Sequence, residues 1–351
     1  MFDPALLQQI QPLDAQAMAE ADARQRALTK PAGSLGRLEQ VATQVAGISG
    51  QPRPTVARKA IITAAGDHGV VAEGVSAYPQ EVTGQMVRNI LNGGAAINVL
   101  ARQIGARVLV LDAGIVADLP HHPALVSAKL GPGTANIARG PAMSRAQAGA
   151  ALMLGIDAVR RERALGLDIV GTGDMGIGNT TPSAAICAAF TGLDPATICG
   201  RGTGVDDAGL QRKIAAVRSA LQVNRPDPHD ALGVLAAVGG FEIGAIAGIV
   251  LGAALERIPV VIDGYISTAG AMVAVCLAPQ CRPYIIAAHR SQESGHAAML
   301  AWLRVEPLLD LDLRLGEGTG AALAIGMVEA ACRVLDEMAT FAEAGVSGRG
   351  A

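Results

Sequence analysis

The fold of this chain is decided by the segment Asp168-Ile-Val-Gly-Thr-Gly-Asp-Met-Gly-Ile-Gly-Asn-Thr-Thr-Pro182. It begins with one of several short β-branched runs, which are typical of strands buried on both faces. Glycines follow, and the apolar stretch after them starts at Asn179, Thr180, Thr181 and Pro182, where either threonine can cap a helix that has Pro182 in its first turn. This order predicts a strand, a glycine loop and a helix, the repeating unit of a parallel α/β sheet.

The same alternation runs through the central part of the chain. Four further strand-like runs cover residues 60–65, 107–112, 259–263 and 283–288, and helical patterns cover residues 80–104, 144–165, 207–223 and 243–255. Strands that alternate with helices favour parallel pairing through right-handed crossovers. We therefore predict a mostly parallel, Rossmann-like α/β sheet flanked by helices, with its ligand-binding loops at the carboxyl ends of the strands.

The two ends of the chain differ from its centre. Residues 14–28 and a second segment that ends at Ile48 have a helical pattern, Pro52 and Pro54 follow them, and a last helix is predicted over residues 321–344. These pieces predict a smaller helical domain from residues 1–55 and 320–351, beside a large α/β catalytic domain over residues 56–319. Separate helical pieces that can bury their apolar faces against a second copy also favour a homodimer.

The composition excludes several classes of protein. Of the 351 residues, 28 are Lys or Arg and 31 are Asp or Glu, which gives a formal net charge of −3, and half are hydrophobic. These values are typical of a globular protein with a sizeable core. Because the basic residues form no long run, we expect no nucleic-acid partner. The longest apolar stretch, residues 243–255, is shorter than the ~20 residues of a membrane helix, so we expect no membrane partner.

The five cysteines contain no Cys-x-x-Cys pair. We interpret them as small buried hydrophobic residues in a reducing compartment. The amino-terminal sequence has an acidic residue early and no basic stretch before an apolar one, unlike a secretory signal peptide. Together these features predict a cytoplasmic protein.

The glycine loop predicts a phosphate site. Backbone N–H groups without side chains around them, next to a helix amino terminus, attract anions, and hydroxyl groups add donors. We assign Gly176, Gly178, Asn179, Thr180 and Thr181 to a phosphate or a ribose, although a plain strand-to-helix turn would use glycine in the same way. The loop is neither a Walker loop nor a dinucleotide fingerprint, which argues against ATP and NAD. We expect no cofactor.

A second glycine cluster, Gly200-Arg-Gly-Thr-Gly-Val-Asp-Asp207, precedes a predicted helix that carries Lys213. Gly202 of this loop, with Lys213 as the charged member, could complete the same phosphate site. The alternative for Lys213 is a solvated position on the face of its helix.

A single carboxylate lies between glycines in Arg314-Leu-Gly-Glu-Gly-Thr-Gly320. Flanking glycines leave Glu317 accessible to a substrate, and reduced solvent shielding raises the pKa of a carboxyl group, which suits it to accept a proton. A glutamate placed near a helix start because the helix dipole favours it is the other explanation.

Two further motifs precede residue 90. Gly66-Asp-His-Gly69 resembles a metal or acid–base pair, but no second ligand lies at a useful spacing, so we expect no metal site. Tyr78, Gln85 and Met86 could form an apolar slot for a flat base, or simply pack in the core. We assign Leu315, beside the candidate carboxylate, to the same base slot.

Taken together, the motifs resemble those of the nicotinate-nucleotide–dimethylbenzimidazole phosphoribosyltransferase family, which makes the lower-ligand nucleotide of cobalamin. The matching pieces follow one another along nearly the whole chain: residues 30–36, 65–70, 73–79, 173–182, 239–242, 261–264 and 314–322.

The resemblance implies a large parallel α/β domain, a small helical domain and a homodimer with sites between its subunits. It also implies transfer of the phosphoribosyl group of nicotinate mononucleotide to 5,6-dimethylbenzimidazole, with Glu317 as the general base. Asp174 is the second catalytic candidate, at a position where similar family members often carry Glu.

Two other functions are compatible with parts of this pattern. A nucleoside hydrolase or phosphorylase would need no aromatic slot, but the chain lacks the clustered aspartates that would hold a metal and water. A noncatalytic nucleotide sensor would not need a carboxylate framed by glycines beside the phosphate loops.

Overall fold

The computed structural model describes residues 2–347 and contains a seven-stranded sheet in which every pair of neighbouring strands is parallel. The strand order is β3-β2-β1-β4-β5-β6-β7, which extends the doubly wound order of dinucleotide-binding folds by one strand. This confirms the predicted Rossmann-like α/β class. The strands are β1 (Lys59–Gly66), β2 (Ala106–Gly114), β3 (Leu125–Ser127), β4 (Ile169–Met175), β5 (Val260–Ile262), β6 (Ile285–His289) and β7 (Pro307–Leu309).

Helices cover both faces of the sheet. They are α1 (Ala15–Ala27), α2 (Arg37–Ser49), α3 (Val82–Leu91), α4 (Ala96–Gln103), α5 (Arg145–Ala164), α6 (Thr180–Thr191), α7 (Pro195–Ile198), α8 (Asp207–Asn224), α9 (Ala231–Val238), α10 (Phe241–Leu255), α11 (Tyr265–Leu277), α12 (His296–Leu303), α13 (Thr319–Glu337) and α14 (Phe341–Ala344). Short 3₁₀ helices cover Pro4–Gln9, Gly69–Glu73 and Pro279–Tyr284.

Alternate residues of β1 belong to two different hydrophobic cores. Ile62 packs in the core that contains α5 to α12, whereas Ile61 packs in the core that contains α1 to α4 and α13. This is the period of two expected when a strand is covered on both faces. The sheet is therefore the middle layer of three.

Helix α10 is buried along almost its whole length, since every residue from Phe241 to Ala254 is buried. It crosses α5 at two glycines: a Cβ on Gly155 would lie 1.9 Å from the carbonyl oxygen of Ala245, and one on Gly248 would lie 2.0 Å from that of Leu152. Only glycine permits this backbone contact. In residues 2–347 no helix combines the length and apolarity needed to span a bilayer.

Several element boundaries differ from the predicted ones. The single helix predicted over residues 80–104 is wrong, because the chain breaks between α3 and α4 at Gly93, whose φ is +78°, and Gly94. The helix predicted over residues 321–344 ends at Glu337, and α14 follows separately. The short edge strands β3 and β7 were not predicted, because three residues carry too little periodicity to stand out from a loop.

One terminal helix, α13, packs on the sheet. Helix α13 contacts β4, β5 and β6, and α2 packs on α13. The division into a helical domain and an α/β domain stays a prediction, and residues 348–351 of the first lie outside the described residues. Four of the five cysteines are buried and Cys276 is partly buried, all as free thiols, as the sequence predicts.

Candidate functional site

A cleft of about 680 Å³ lies at the carboxyl ends of β4, β5 and β6. Helix α3 and the loop before α13 contribute its other walls. Nine of the predicted site residues line it, namely Tyr78, Met86, Asp174, Gly176, Asn179, Thr180, Gly202, Leu315 and Glu317. The parallel topology explains this convergence, since all strand ends of one polarity meet at the same edge of the sheet.

Glu317 is fixed by its backbone as well as by its side chain. Its φ is +64°, between Gly316 at +84° and Gly318 at +97°, and its carbonyl oxygen accepts a hydrogen bond of 2.9 Å from the hydroxyl of Thr63 in β1. A non-glycine residue in the left-handed region is uncommon and costs conformational energy. The neighbouring contacts therefore hold Glu317 in a strained conformation at the cleft wall.

The carboxylate of Glu317 is buried at the start of α4. Its Oε2 accepts a hydrogen bond of 3.3 Å from the backbone N–H of Ile97. Burial raises the pKa of Glu317, and this hydrogen bond opposes the rise only in part. A carboxyl group with a raised pKa, on the wall of a cleft, is suited to general-base chemistry.

Asp174 lies in the carboxyl-terminal half of β4, opposite Ala64 of β1. Its Oδ2 accepts a hydrogen bond of 2.9 Å from the side-chain amide of Asn179, whereas its Oδ1 is buried without a partner. Burial raises the pKa of Asp174 to about 8, and the nearby carboxyl groups of Asp263, Glu242 and Glu317 add to the shift. This carboxyl group therefore titrates near neutral pH.

Asp263 follows β5 and binds the start of α13. Its two oxygens accept the backbone N–H groups of Gly318, at 3.1 Å, and Ala321, at 2.9 Å. Burial raises the pKa of Asp263 to about 7 against the opposing effect of these hydrogen bonds. These two hydrogen bonds fix the loop that carries Glu317, because Gly318 and Ala321 lie within four residues of Glu317.

The glycine loop after β4 leads into α6 as predicted, but its cap differs. Asn179, not Thr180 or Thr181, occupies the cap position, and its side chain makes no capping hydrogen bond. Its amide nitrogen donates to Asp174. The predicted threonine cap is therefore wrong. Thr181 is fully buried with an unpartnered hydroxyl and lies outside the cleft wall.

Two glycines of this loop are required by close packing. A Cβ on Gly176 would lie 2.4 Å from the carbonyl oxygen of Gly66. Gly178 has a φ of +88°, and a Cβ there would lie 2.7 Å from the side chain of Val71. Gly176 lines the cleft, whereas Gly178 shapes the turn behind it.

Lys213 is 1% exposed and lies beneath the second glycine loop. Its Nζ donates a hydrogen bond of 3.0 Å to the carbonyl oxygen of Gly200 and is 3.2 Å from the position of a Cβ on Gly202. Burial lowers the pKa of Lys213, and the carboxylate of Glu293 opposes this effect. The Lys213 side chain is therefore buried, not solvated, and it is not part of the cleft wall.

Three of the four residues predicted to form the base slot line the cleft. Tyr78, at 51% exposed, and Leu315, at 58%, line the cleft with the partly buried Met86. Gln85 is exposed and is not part of the cleft wall.

The sequence did not indicate a buried histidine–glutamate pair formed by His68 and Glu242. Nε2 of His68 and Oε1 of Glu242 are 2.8 Å apart. Burial by itself lowers the pKa of His68, but the carboxylate of Glu242 outweighs it and raises the pKa overall. Both residues lie in motifs of the family resemblance, Gly66–Gly69 and Gly239–Glu242, but nothing in either motif indicates the other as its partner.

The cleft wall contains further polar residues that the sequence did not indicate. His289 at the end of β6, Ser291 and Glu293 after it, and Arg314 all line the cleft. Arg314 donates a hydrogen bond of 3.3 Å to the carbonyl oxygen of Gly202. Their signal was position alone, since His289, Ser291 and Glu293 follow a predicted strand and Arg314 begins a glycine motif.

Comparison with known proteins agrees with this geometry. A family model described as phosphoribosyltransferase matches residues 10–346. A protein of Roseiflexus sp. (strain RS-1) named nicotinate-nucleotide–dimethylbenzimidazole phosphoribosyltransferase is 59% identical over 97% of this chain and 96% of that protein. A protein of the same name from Geobacter sulfurreducens is 55% identical over 97% of each chain.

A solved structure has the same fold. The crystal structure of CobT from Thermus thermophilus is 52% identical, superposes with a TM-score of 0.92, and covers 95% of this chain and 100% of its own. The chain belongs to the family of nicotinate-nucleotide–dimethylbenzimidazole phosphoribosyltransferases.

Proposed function

We propose that this cleft transfers the phosphoribosyl group of nicotinate mononucleotide to a nitrogen of 5,6-dimethylbenzimidazole, releasing nicotinate and forming α-ribazole 5′-phosphate for cobalamin biosynthesis. The observation that carries the proposal is the position of Glu317, a strained, buried carboxylate on the same cleft wall as the glycine loop after β4. The names of the similar proteins support the choice of both substrates.

The reaction needs little activation of the leaving group. The pyridine nitrogen of the nucleotide is quaternary, so nicotinate departs as a neutral ring when the bond to C1′ breaks. The β-linked ribose becomes α-linked, and a single in-line displacement with inversion is the simplest path. The protein must hold the two reactants at near-attack distance.

Each requirement has a candidate group in this chain. The loop from Gly176 to Thr181 and the loop around Gly202, supported from below by Lys213, anchor the 5′-phosphate. Tyr78, Met86 and Leu315 hold the flat base, and Glu317 takes the azole proton as the ring nitrogen attacks. Asp174, on the same wall, is the second candidate for that proton.

The finer assignments are part of the same proposal. We place the reaction in the cytoplasm, because five free thiols suit a reducing compartment. We propose a homodimer, because Tyr78, Leu311 and Leu315 are large apolar side chains that are more than half exposed, as expected of a surface that a second subunit covers.

Incubation with nicotinate mononucleotide, with and without dimethylbenzimidazole, tests the function. Release of nicotinate only in the presence of the base supports transfer. Release without the base supports a hydrolase, and no release under either condition supports a nucleotide sensor.

A further inference from the structure

Glu293 is a buried carboxylate in the cleft wall to which the reaction scheme above gives no role. The residue is 7% exposed, and its Oε2 is buried without a hydrogen-bond partner. A buried charged group without donors is costly, and native proteins rarely leave one without a function or an absent ligand.

The other carboxylates of the cleft wall all have donors. Asp174 accepts from Asn179, Glu317 accepts from Ile97, and Asp312 accepts from the amide of Gln292. Within residues 2–347, no donor reaches either carboxylate oxygen of Glu293. A ligand that enters the cleft can supply the missing donors.

The loop that carries Glu293 is held rigidly. The backbone N–H of Ser291 donates to Nδ1 of His296 at 2.8 Å, and Nε2 of His296 is 2.8 Å from the hydroxyl of Thr268. Because Nδ1 accepts, the proton lies on Nε2 and is donated to Thr268. Burial lowers the pKa of His296 to about 3, which keeps this ring neutral. A carboxylate on such a loop is positioned before any ligand binds.

The surroundings of Glu293 indicate which part of the nucleotide it faces. It contacts the second glycine loop, since a Cβ on Gly200 would lie 2.2 Å from Oε2 of Glu293. A carboxylate repels a phosphate, so its partner is the next group along the nucleotide, the ribose. The two hydroxyls of a ribose are donors, and acidic residues bind them in the same way in dinucleotide-binding folds.

We propose that Glu293 binds the 2′- and 3′-hydroxyls of the ribose and so fixes the orientation of C1′ for the in-line displacement. This inference rests on the proposed function. It makes Glu293 a positioning residue, because it acts on the reacting carbon through the sugar. The buried ammonium group of Lys213 lies beneath the loop that contains Gly200.

Kinetics with three nucleotides test the proposal: nicotinate mononucleotide and its 2′-deoxy and 3′-deoxy analogues. A hydrogen bond to a charged group is lost in each analogue, so wild-type kcat/KM should fall roughly 10-fold or more on at least one of them. The kcat/KM of Glu293→Gln should be about 10-fold below that of wild type on the ribonucleotide. On the analogue that wild type uses poorly, the two kcat/KM values should agree within about twofold. KM for dimethylbenzimidazole should not change.

Asp312→Asn is the matched control, because it also removes one carboxylate charge from the cleft wall; its preference among the three nucleotides should equal that of wild type. Equal losses by Glu293→Gln on all three nucleotides would mean a structural or purely electrostatic role and would overturn the proposal. Should Glu293→Gln fold poorly in a thermal melt, Glu293→Asp, which withdraws the carboxylate by one methylene, must show the same selective loss.

Calorimetry measures the binding of the three nucleotides to the wild-type protein and to the Glu293→Gln variant without turnover. It therefore tests the role of Glu293 separately from the proposed transfer reaction. Absence of transfer by wild type contradicts the proposed function. Equal affinity of wild type for all three nucleotides, with transfer intact, contradicts only the role of Glu293.

Discussion

The backbone N–H of Ile97, in the first turn of α4, donates to Oε2 of Glu317. The helix amino terminus thus orients the carboxylate and stabilises its ionised form, while burial raises its pKa. Burial and the hydrogen bond therefore act in opposite directions on the pKa of the same carboxyl group. Two segments that are 220 residues apart in sequence, the start of α4 and the loop before α13, together determine its chemistry.

Glu317→Gln is expected to lower kcat on dimethylbenzimidazole by roughly 10²-fold or more, with a modest change in KM for either substrate. Glutamine keeps an oxygen for the N–H of Ile97 but cannot accept the azole proton. The loss should shrink with an N-methylated benzimidazole, which has no such proton. If turnover of dimethylbenzimidazole stays near the wild-type value, Glu317 only positions this substrate, and Asp174 becomes the candidate that accepts the azole proton.

Gly173→Ala is expected to displace the backbone of Glu317. A Cβ on Gly173 would lie 2.3 Å from the carbonyl oxygen of Glu317 and 2.7 Å from the backbone nitrogen of Gly318, so the loop that carries Glu317 must move. We expect a loss of about 1–3 kcal/mol in the free energy of unfolding and a drop in kcat. Gly140→Ala is the control, because nothing lies within 4 Å of a Cβ there. Wild-type turnover by Gly173→Ala would show that the loop is not held by this contact.

Lys213→Ala is expected to raise the KM for nicotinate mononucleotide and leave the affinity for the base nearly unchanged. The ammonium group supports the Gly200–Gly204 loop through the carbonyl oxygen of Gly200 and places a positive charge beneath it. Lys213→Met keeps most of the buried volume, so a similar rise in KM with this variant identifies the charge, not packing, as the cause. A fall in base affinity at constant nucleotide KM would refute the assignment.

The homodimer is tested by light scattering at micromolar concentration, where we expect the mass of two chains. Replacement of two exposed apolar residues near the cleft, Leu311→Ser with Leu315→Ser, should shift the equilibrium toward monomer if they lie in the interface. A monomeric wild-type chain with full activity would contradict a shared site.

The sequence predicted the fold more completely than the site. Buried strands such as Ile169–Met175 are indicated by continuous apolarity, and the glycines that follow them indicate the edge of the sheet where the cleft lies. Glu317 was predicted as a site residue because its flanking glycines are a local signal, and it lines the cleft. The partners of these residues could not be identified, since Ile97 donates through its backbone and Glu242 pairs with His68 across 174 residues. Such contacts depend on tertiary structure alone.

The same limit applies to contacts within the glycine loop. The assignment of Asn179 to phosphate or ribose stays a prediction, and the sequence did not indicate that its amide donates to Asp174, a contact that becomes possible only when the loop folds back on β4. A solvated position was only the alternative for Lys213, and the structure excludes it, because the loop that contains Gly200 covers the side chain. Glu293 was missed because it follows a strand without any glycine frame.

Asp174→Asn is expected to change the pH dependence of stability. The pKa of this carboxyl is raised from 3.8 to about 8 in the folded protein, so the folded state binds one proton more than the unfolded state between about pH 4 and pH 8. Stability must then decrease as pH rises through this range, by up to about 1.4 kcal/mol per pH unit from this group. Asparagine does not titrate and keeps an oxygen for the amide of Asn179.

The variant should therefore gain stability relative to wild type as pH rises from 5 to 8, and the difference should level off above pH 8. Denaturant unfolding of the ligand-free proteins at pH 5, 6.5, 8 and 9 measures it, with Asp312→Asn as the control at an exposed carboxylate. Parallel stability curves for wild type and Asp174→Asn would show that Asp174 is already ionised at pH 5. In that case its Oδ1 must be solvated by water in the cleft, and the residue would be available as an anion throughout the physiological range.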